Sequence, residues 1–330
     1  MFSFLLTKYD ICSIICSQRG DTMANMTREQ WNKMIEEERK TGKYPTVDLE
    51  VLEKVKNLKV SDDVLAHVSD TTKCLKESYL DVITGFKHTN PGLKEYLNAI
   101  KAADIIDNQK MEKENSFLIG LYMQTSKQAA IDKLIKKLKT KGVITDKDIV
   151  NIHDTLLFGT SSENDERIRS HNYKFVGRKF QSGKVEIDYF VLDYKDIPKA
   201  TKGLAEVYNN PLGNEDIDSN VFLRPFVVHG LLGALQIFED GNTRMGRIMQ
   251  HTLMWQLINE QMGYDFEQPP IYATRSYYPM REKCREKIKN IVVQNDDNAW
   301  NEWFHFNLDR IEDQMYCNDE NIKSLRRRIK

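Results

Sequence analysis

Cysteine is scarce and unpaired in this sequence. The five residues at positions 12, 16, 74, 284 and 317 lack the twin spacing of a zinc knuckle or a redox CxxC. That argues against a disulfide-stapled secreted domain and for a reducing, cytoplasmic setting. Long apolar runs are also missing. None reaches the about 18 residues that a membrane span needs, so no membrane is expected. Neither sign of charge dominates: 48 Lys and Arg against 49 Asp and Glu leave a formal net charge of -1, and no global field attracts nucleic acid. Specificity must come from a local site. The apolar start MFSFLLTKYDICSIIC is broken by Lys8 and Asp10 and has no basic segment before it, unlike a signal peptide. Residues 1–25 are expected to be disordered, with Met23 and Met26 as alternative starts. Repeats and low-complexity tracts are absent too.

What is present is ample core, 40% hydrophobic residues in 330, cut by polar punctuation. The pattern predicts helices over 27–40 (capped by Thr27 with Gln30), 61–85, 91–108 behind Pro91, and 125–141 before Gly142. A further helix from Thr145 puts Ile149, Ile152, His153 and Leu156 on one face, which makes His153 a packing residue in preference to a ligand. In YKFVGRKFQSGKVEIDYFVL, apolar and polar residues alternate on both sides of Ser182-Gly183, the mark of a β-hairpin. Helices resume over 196–209, 219–237, 242–262, 276–293 and 298–316. The class is mainly α with one β-hairpin.

The stretch ALQIFEDGNTRMGRIMQH, residues 234–251, carries the chemistry. Gly241 and Asn242 stand where one helix has stopped and an amphipathic one, with Ile248, Leu253 and Leu257 inward, begins. Free N–H groups, the helix dipole and a glycine together suit a phosphate. Arg244 and Arg247, three apart in the first turn, could grip the outer phosphates of one polyanion. Asp240 on the loop could hold a Mg²⁺ that bridges phosphate oxygens. Taken singly, each has a plainer reading as a cap, a turn residue or a solvated helix charge.

Together these residues resemble the signature H-x-F-x-[DE]-G-N-x-R-x-x-R of the Fic (filamentation-induced-by-cAMP) domain family, protein adenylyltransferase type. The likeness runs from about residue 145 to 316, through RPFVVHGLLGAL before the motif and AWNEWFHFNLDRIEDQ after it. It implies a Fic-type helical bundle with one β-hairpin flap. Four segments are expected: the disordered 1–25, an N-terminal helical region 26–144 that could regulate the site, the Fic domain 145–316 that the resemblance implies, and a C-terminal tail 317–330. Most members transfer AMP from ATP to a Ser, Thr or Tyr hydroxyl of a target protein. Relatives transfer UMP, phosphocholine or phosphate, and some remove AMP. Carried over, the likeness makes Phe238 a core anchor, Asp240 the Mg²⁺ ligand, and Gly241, Asn242 and Thr243 the α-phosphate hole. Arg244 and Arg247 would meet the β- and γ-phosphates. The flap, through Gly183, Lys184, Val185, Glu186 and Ile187, would dock a target protein by strand addition.

The sequence departs from the signature at two positions. Gln236 replaces the histidine that serves the family as general base, and a carboxamide has no proton to exchange near neutrality. Loss of a general base costs a factor of about 10² to 10⁴ in rate, so transfer is expected to be strongly impaired. His229 lies about 10 Å back along its helix and His251 well into the next, so both read as packing or surface residues. Thr243 replaces a common glycine and narrows the phosphate pocket. The family's inhibitory motif [ST]-x-x-x-E-[GN] has its nearest counterpart at Glu114-Asn115, with Lys110 at the Ser/Thr position. Alternatives are a non-catalytic nucleotide-binding interaction module, transfer of another nucleotide or phosphate group, or an altered residue 236 in this copy.

Overall fold

A computed structural model describes residues 27–84, 92–111, 117–158, 168–179, 185–210 and 221–329. The segment 1–25, the Ser182-Gly183 turn with Lys184, and the Glu114-Asn115 pair lie outside these residues.

Local sequence signals set most element starts. Helix α1 (Arg28–Lys40) opens on the anticipated box, with Gln30 N donating to Thr27 Oγ1 at 3.2 Å and Thr27 N to Gln30 Oε1 at 2.8 Å. α2 (Glu50–Lys56) was not anticipated. It has only seven residues, and burial of Val51, Leu52 and Val55 sustains it in place of a long periodic pattern. α3 (Asp62–Lys73) runs into a π-helical turn at Cys74–Leu80 and a last α-helical turn at Asp81–Thr84. α4 (Gly92–Met111) and α5 (Phe117–Lys141) are both longer than their expected spans. α6 (Asp146–Leu157) carries a second capping box, Thr145 with Asp148.

Strands β1 (Phe175–Lys179) and β2 (Val185–Phe190) pair antiparallel, with a register shift between Val176 and Gly177. They form the one two-stranded sheet among the described residues. Next come α7 (Ile197–Asn209), α8 (Leu223–Leu235) and α9 (Asn242–Met262). After a short turn at Thr274–Tyr277 follow α10 (Arg281–Gln294) and α11 (Asp297–Ile329).

Four expectations are corrected. α8 stops at Leu235, not at 237, because Gln236 adopts the left-handed conformation. The span 276–293 is not one helix: Pro279 sits in a 3₁₀ turn, Tyr278–Met280, that separates α10 from the turn before it. α11 continues to Ile329, past its expected end at 316. α9 is buried on nearly every face from Asn242 to Ile258; it is not amphipathic but a central helix.

All thirteen residues of α8 are buried, and three glycines let neighbours approach it closely. A Cβ on Gly230 would lie 3.0 Å from both Trp300 and Trp303, and one on Gly233 would lie 2.6 Å from Ile288. At the crossing of α8 and α9, a Cβ on Gly246 would lie 2.7 Å from His229 Cδ2. One continuous hydrophobic core runs from Val47 to Met315, so the N-terminal helices share the core of the rest. Polar contacts seal the join: Lys59 N to Asp297 Oδ1 at 3.0 Å, Ser61 N to Asn301 Oδ1 at 3.0 Å, and Thr71 Oγ1 to Glu312 Oε1 at 2.6 Å. Among the described residues no helix is long and apolar enough to cross a membrane.

Substitution at the α8–α9 crossing tests this packing. His229 is fully buried between Tyr277 and Trp303 and cannot yield to a new side chain. Gly246→Val is expected to lower the unfolding free energy by about 1–3 kcal/mol, read as a shifted urea midpoint.

Candidate functional site

The site is made by the way the chain passes from α8 to α9. Gln236 sits at φ 49°, ψ 52°, a conformation uncommon for a residue with a side chain, and reverses the chain out of α8. Phe238 then forms an isolated antiparallel bridge with Ile168, and its buried ring stacks on His153 with centroids 3.7 Å apart. Gly241, at φ 79°, turns the chain into α9, and a Cβ there would lie 3.1 Å from His153 Nε2. Only glycine suits both the angle and the space.

Every carbonyl from residue 236 to 241 receives a hydrogen bond. Arg169 donates from Nε to Gln236 O at 3.4 Å and from its backbone N–H to Ile237 O at 3.3 Å. Lys174 Nζ donates to Phe238 O at 2.9 Å and Glu239 O at 2.5 Å. His153 Nε2 lies 2.8 Å from Asp240 O, and Met245 N donates to Gly241 O at 2.9 Å, starting the helix. With the carbonyls committed, the N–H groups at the start of α9, which has no side-chain cap, are left to face whatever enters.

A chain of side-chain amides fixes the orientation of Gln236. Phe238 N–H can only donate, so the atom of Asn242 that meets it at 2.9 Å is Oδ1. Asn242 Nδ2 therefore faces Phe238 O at 2.8 Å and Gln236 at 3.2 Å, where it meets Oε1. That leaves Gln236 Nε2 to donate to Gly233 O at 2.8 Å, satisfying a carbonyl at the end of α8. Gln236 is thus a C-cap and a clamp on Asn242.

The expected phosphate-site residues divide into two groups. Gln236, Thr243 and Arg247 line a cleft of about 260 Å³, closed on one side by Val176 and Tyr189 of the hairpin and on the other by the first turns of α10. Gly241 and the buried Asn242 shape the loop behind it. Arg244 does not line the cleft: it is buried, and its Nη2 donates to Asp240 Oδ2 at 2.8 Å. The two arginines expected to act on one ligand are therefore separated, with Arg247 facing the cleft. Asp240 keeps its carboxylate 47% exposed. In the flap, Ile187, Glu186 and Val185 pair with Gly177, Arg178 and Lys179. At its base, Val47 N donates to Phe190 O at 2.9 Å and Phe190 N to Pro45 O at 2.8 Å. This places Thr46 of the N-terminal region in an isolated parallel bridge with Phe190 at the β2 edge.

No described histidine lines the cleft. Burial keeps His153 neutral, with its pKa pulled down to about 4, and His229 likewise at about 3. His251 is buried and accepts from Ala273 N at 3.1 Å. Both His229 and His251 are packing residues; the surface alternative is excluded. The sequence reading missed Arg169, Lys174 and the α10 trio Arg281, Glu282 and Arg285. None belongs to a local motif: they reach the site from the flanks of the hairpin and from forty residues downstream.

Residues 143–254 match the Fic/DOC family. The chain is similar in structure to a Fic family protein from Desulfovibrio desulfuricans G20, with 15% identity, a TM-score of 0.53, and 81% of this chain and 76% of that one covered. It is more distantly similar to Fic-1 from C. elegans (14% identity, TM-score 0.45, 96% and 82% covered). The same holds for a Fic domain containing signaling protein from Bacteroides thetaiotaomicron VPI-5482 (13% identity, TM-score 0.45, 79% and 97% covered). At such identities the likeness is one of fold. No curated protein matches.

The loop-holding role of Lys174 has a pH signature. Burial pulls its pKa down to about 8 from an ordinary 10.5. Between those values the unfolded chain binds the extra proton, so stability rises with pH; below about 8 both states are charged and the full cost of burying the charge remains. From pH 8 to 9.5, the unfolding free energy of the wild type is expected to gain on that of Lys174→Met. Lys174→Met is also expected to be the less stable protein throughout, because Glu239 O loses its donor and Phe238 O keeps only Asn242 Nδ2. Paired denaturant titrations read both effects.

Proposed function

We propose, from a segment 143–254 that belongs to the Fic/DOC family, that this chain binds ATP with Mg²⁺ in the α8–α9 cleft. It would transfer AMP slowly, by the family's chemistry, to a Ser, Thr or Tyr hydroxyl of a target protein. The observation that carries the reading is that six consecutive carbonyls of the loop, 236–241, are all committed to donors. A row of backbone dipoles so turned presents N–H groups and the positive end of α9 to an anion.

The α-phosphate would rest on the N–H groups of Asn242 and Thr243, and Arg247 in the cleft would meet the outer phosphates. Arg244 has a different part: bonded to Asp240, it holds that carboxylate where a metal could reach it. One half-exposed carboxylate together with phosphate oxygens suits Mg²⁺, which keeps several waters and seldom needs an all-protein cage. Among the described residues no group of three or more His, Cys, Asp or Glu could hold a metal alone, so the ion would arrive with the nucleotide. Bound there, it would neutralise phosphate charge. A target segment would add to the hairpin towards its turn, since Pro45–Val47 takes the β2 edge at Phe190. A reducing, cytoplasmic setting fits the free Cys74, Cys284 and Cys317.

Gln236 would orient the incoming hydroxyl but cannot take its proton. Its two hydrogen bonds favour a second reading, a nucleotide-dependent interaction module, because they hold the loop whether or not chemistry follows. Calorimetry with ATP and Mg²⁺ is expected to give micromolar to millimolar binding, weakened at least about tenfold by Arg247→Ala. No heat with ATP and Mg²⁺, or binding indifferent to Arg247→Ala, would remove the nucleotide site. Gln236→His is expected to raise AMP transfer by about 10² or more, read as an AMP adduct by mass spectrometry. Equal adduct in both proteins means that Gln236 does not limit the rate; none in either, despite binding, favours the interaction module.

A further inference from the structure

If the cleft binds a nucleoside triphosphate, as proposed above, a proton must still leave the attacking hydroxyl, and the cleft walls restrict where it can go. Gln236 has no acceptor of sufficient basicity, and no described histidine lines the space. Three arginines line it, and they only donate. Thr243 offers an aliphatic hydroxyl, which does not hold an extra proton at neutral pH. Tyr189 is buried, which raises its pKa, and its hydroxyl donates to Gly233 O at 3.3 Å. Cys284 is buried with its thiol pushed up to about 12, so it is a protonated thiol. One group is left.

Glu282 stands in the first turn of α10, lines the same cleft as Gln236, Thr243 and Arg247, and is the one carboxylate among the lining residues. Its side chain is 66% exposed, and Arg281 Nε lies 3.8 Å away, too far for a hydrogen bond that would occupy the oxygen. It therefore reaches both the cleft and bulk water. We infer that Glu282 is the proton acceptor of the slow reaction in this chain, supplied from the opposite wall to the position where the family signature has histidine. The hydroxyl oxygen forms a bond to the α-phosphorus, the bond from that phosphorus to the bridging oxygen breaks, and pyrophosphate leaves with the electron pair. The hydroxyl proton passes to the Glu282 carboxylate and from there to solvent.

The full chain with Mg²⁺ and α-³²P-labelled ATP tests this without a known target, because water and the protein's own hydroxyls serve as acceptors. The readouts are AMP release and self-labelling, with ATP affinity measured alongside. Glu282→Gln is expected to slow both by about 10² and to leave affinity within about twofold, while Glu282→Asp, which keeps an acceptor on a shorter arm, recovers part of the rate. In the Gln236→His background, where the imidazole takes the proton, Glu282→Gln should change the rate by less than about threefold. The inference is overturned if wild type and Glu282→Gln react at the same rate, if the wild type shows neither release nor labelling, or if Glu282→Gln costs the same in both backgrounds, which would mark a binding role. Absence of ATP binding would overturn the nucleotide-site reading as well, whereas binding with any of those three results removes Glu282 alone.

Discussion

The site depends on where the carbonyls of residues 236–241 go. A loop between two buried helices cannot leave polar backbone unsatisfied, because each orphaned group costs about 1–3 kcal/mol. Outside α9, the donors come from three separate places: His153 on α6, Arg169 before the hairpin, and Lys174 at its start. Within α9, Asn242 Nδ2 and Met245 N add two more. Removing charge from water makes the charged donors costly, as the lowered pKa values of Arg169 (about 10) and Lys174 (about 8) record.

Gln236 belongs to the same constraint. A residue with a side chain at φ 49° is strained by an amount on the order of 1 kcal/mol, and its two hydrogen bonds, to Gly233 O and from Asn242 Nδ2, offset that strain. The carboxamide is suited to this because it donates at one end and accepts at the other in a single plane. The amide resonance that fixes that plane also leaves the group too weakly basic to take up a proton near neutrality. Structural competence and chemical deficiency at this position therefore have one origin.

Much of the fold was legible in the sequence where a local rule decides it. The boxes Thr27–Gln30 and Thr145–Asp148 set helix starts to the residue, the alternation around the hairpin gave both strands, and Gly241 marked the entry to α9. Legibility failed where tertiary contact decides. α2 survives by burial alone; the left-handed Gln236 has no glycine to announce it; α11 runs past the apolar pattern that suggested an end at 316. In the site, Gln236, Thr243 and Arg247, which lie within twelve residues of one another, line one cleft. A one-dimensional pattern does not show that Arg244 pairs with the i,i+4 carboxylate of Asp240 and stands apart from the cleft that Arg247 lines. Arg169, Lys174 and Glu282 come from other parts of the chain and carry no spacing that ties them to the motif.

The seam between the N-terminal helices and α11 has a consequence for synthesis on the ribosome. The backbone N–H groups of Lys59 and Ser61 find their acceptors on Asp297 and Asn301, and Thr71 finds Glu312, each some 240 positions later. The helices made first are therefore the last to be completed. Until α11 emerges, Val55, Leu58, Val64 and Val68 present apolar surface with no cover from that helix. The nascent chain carries this exposed face for nearly its whole length, a demand for chaperone holding that follows from contact order and not from composition.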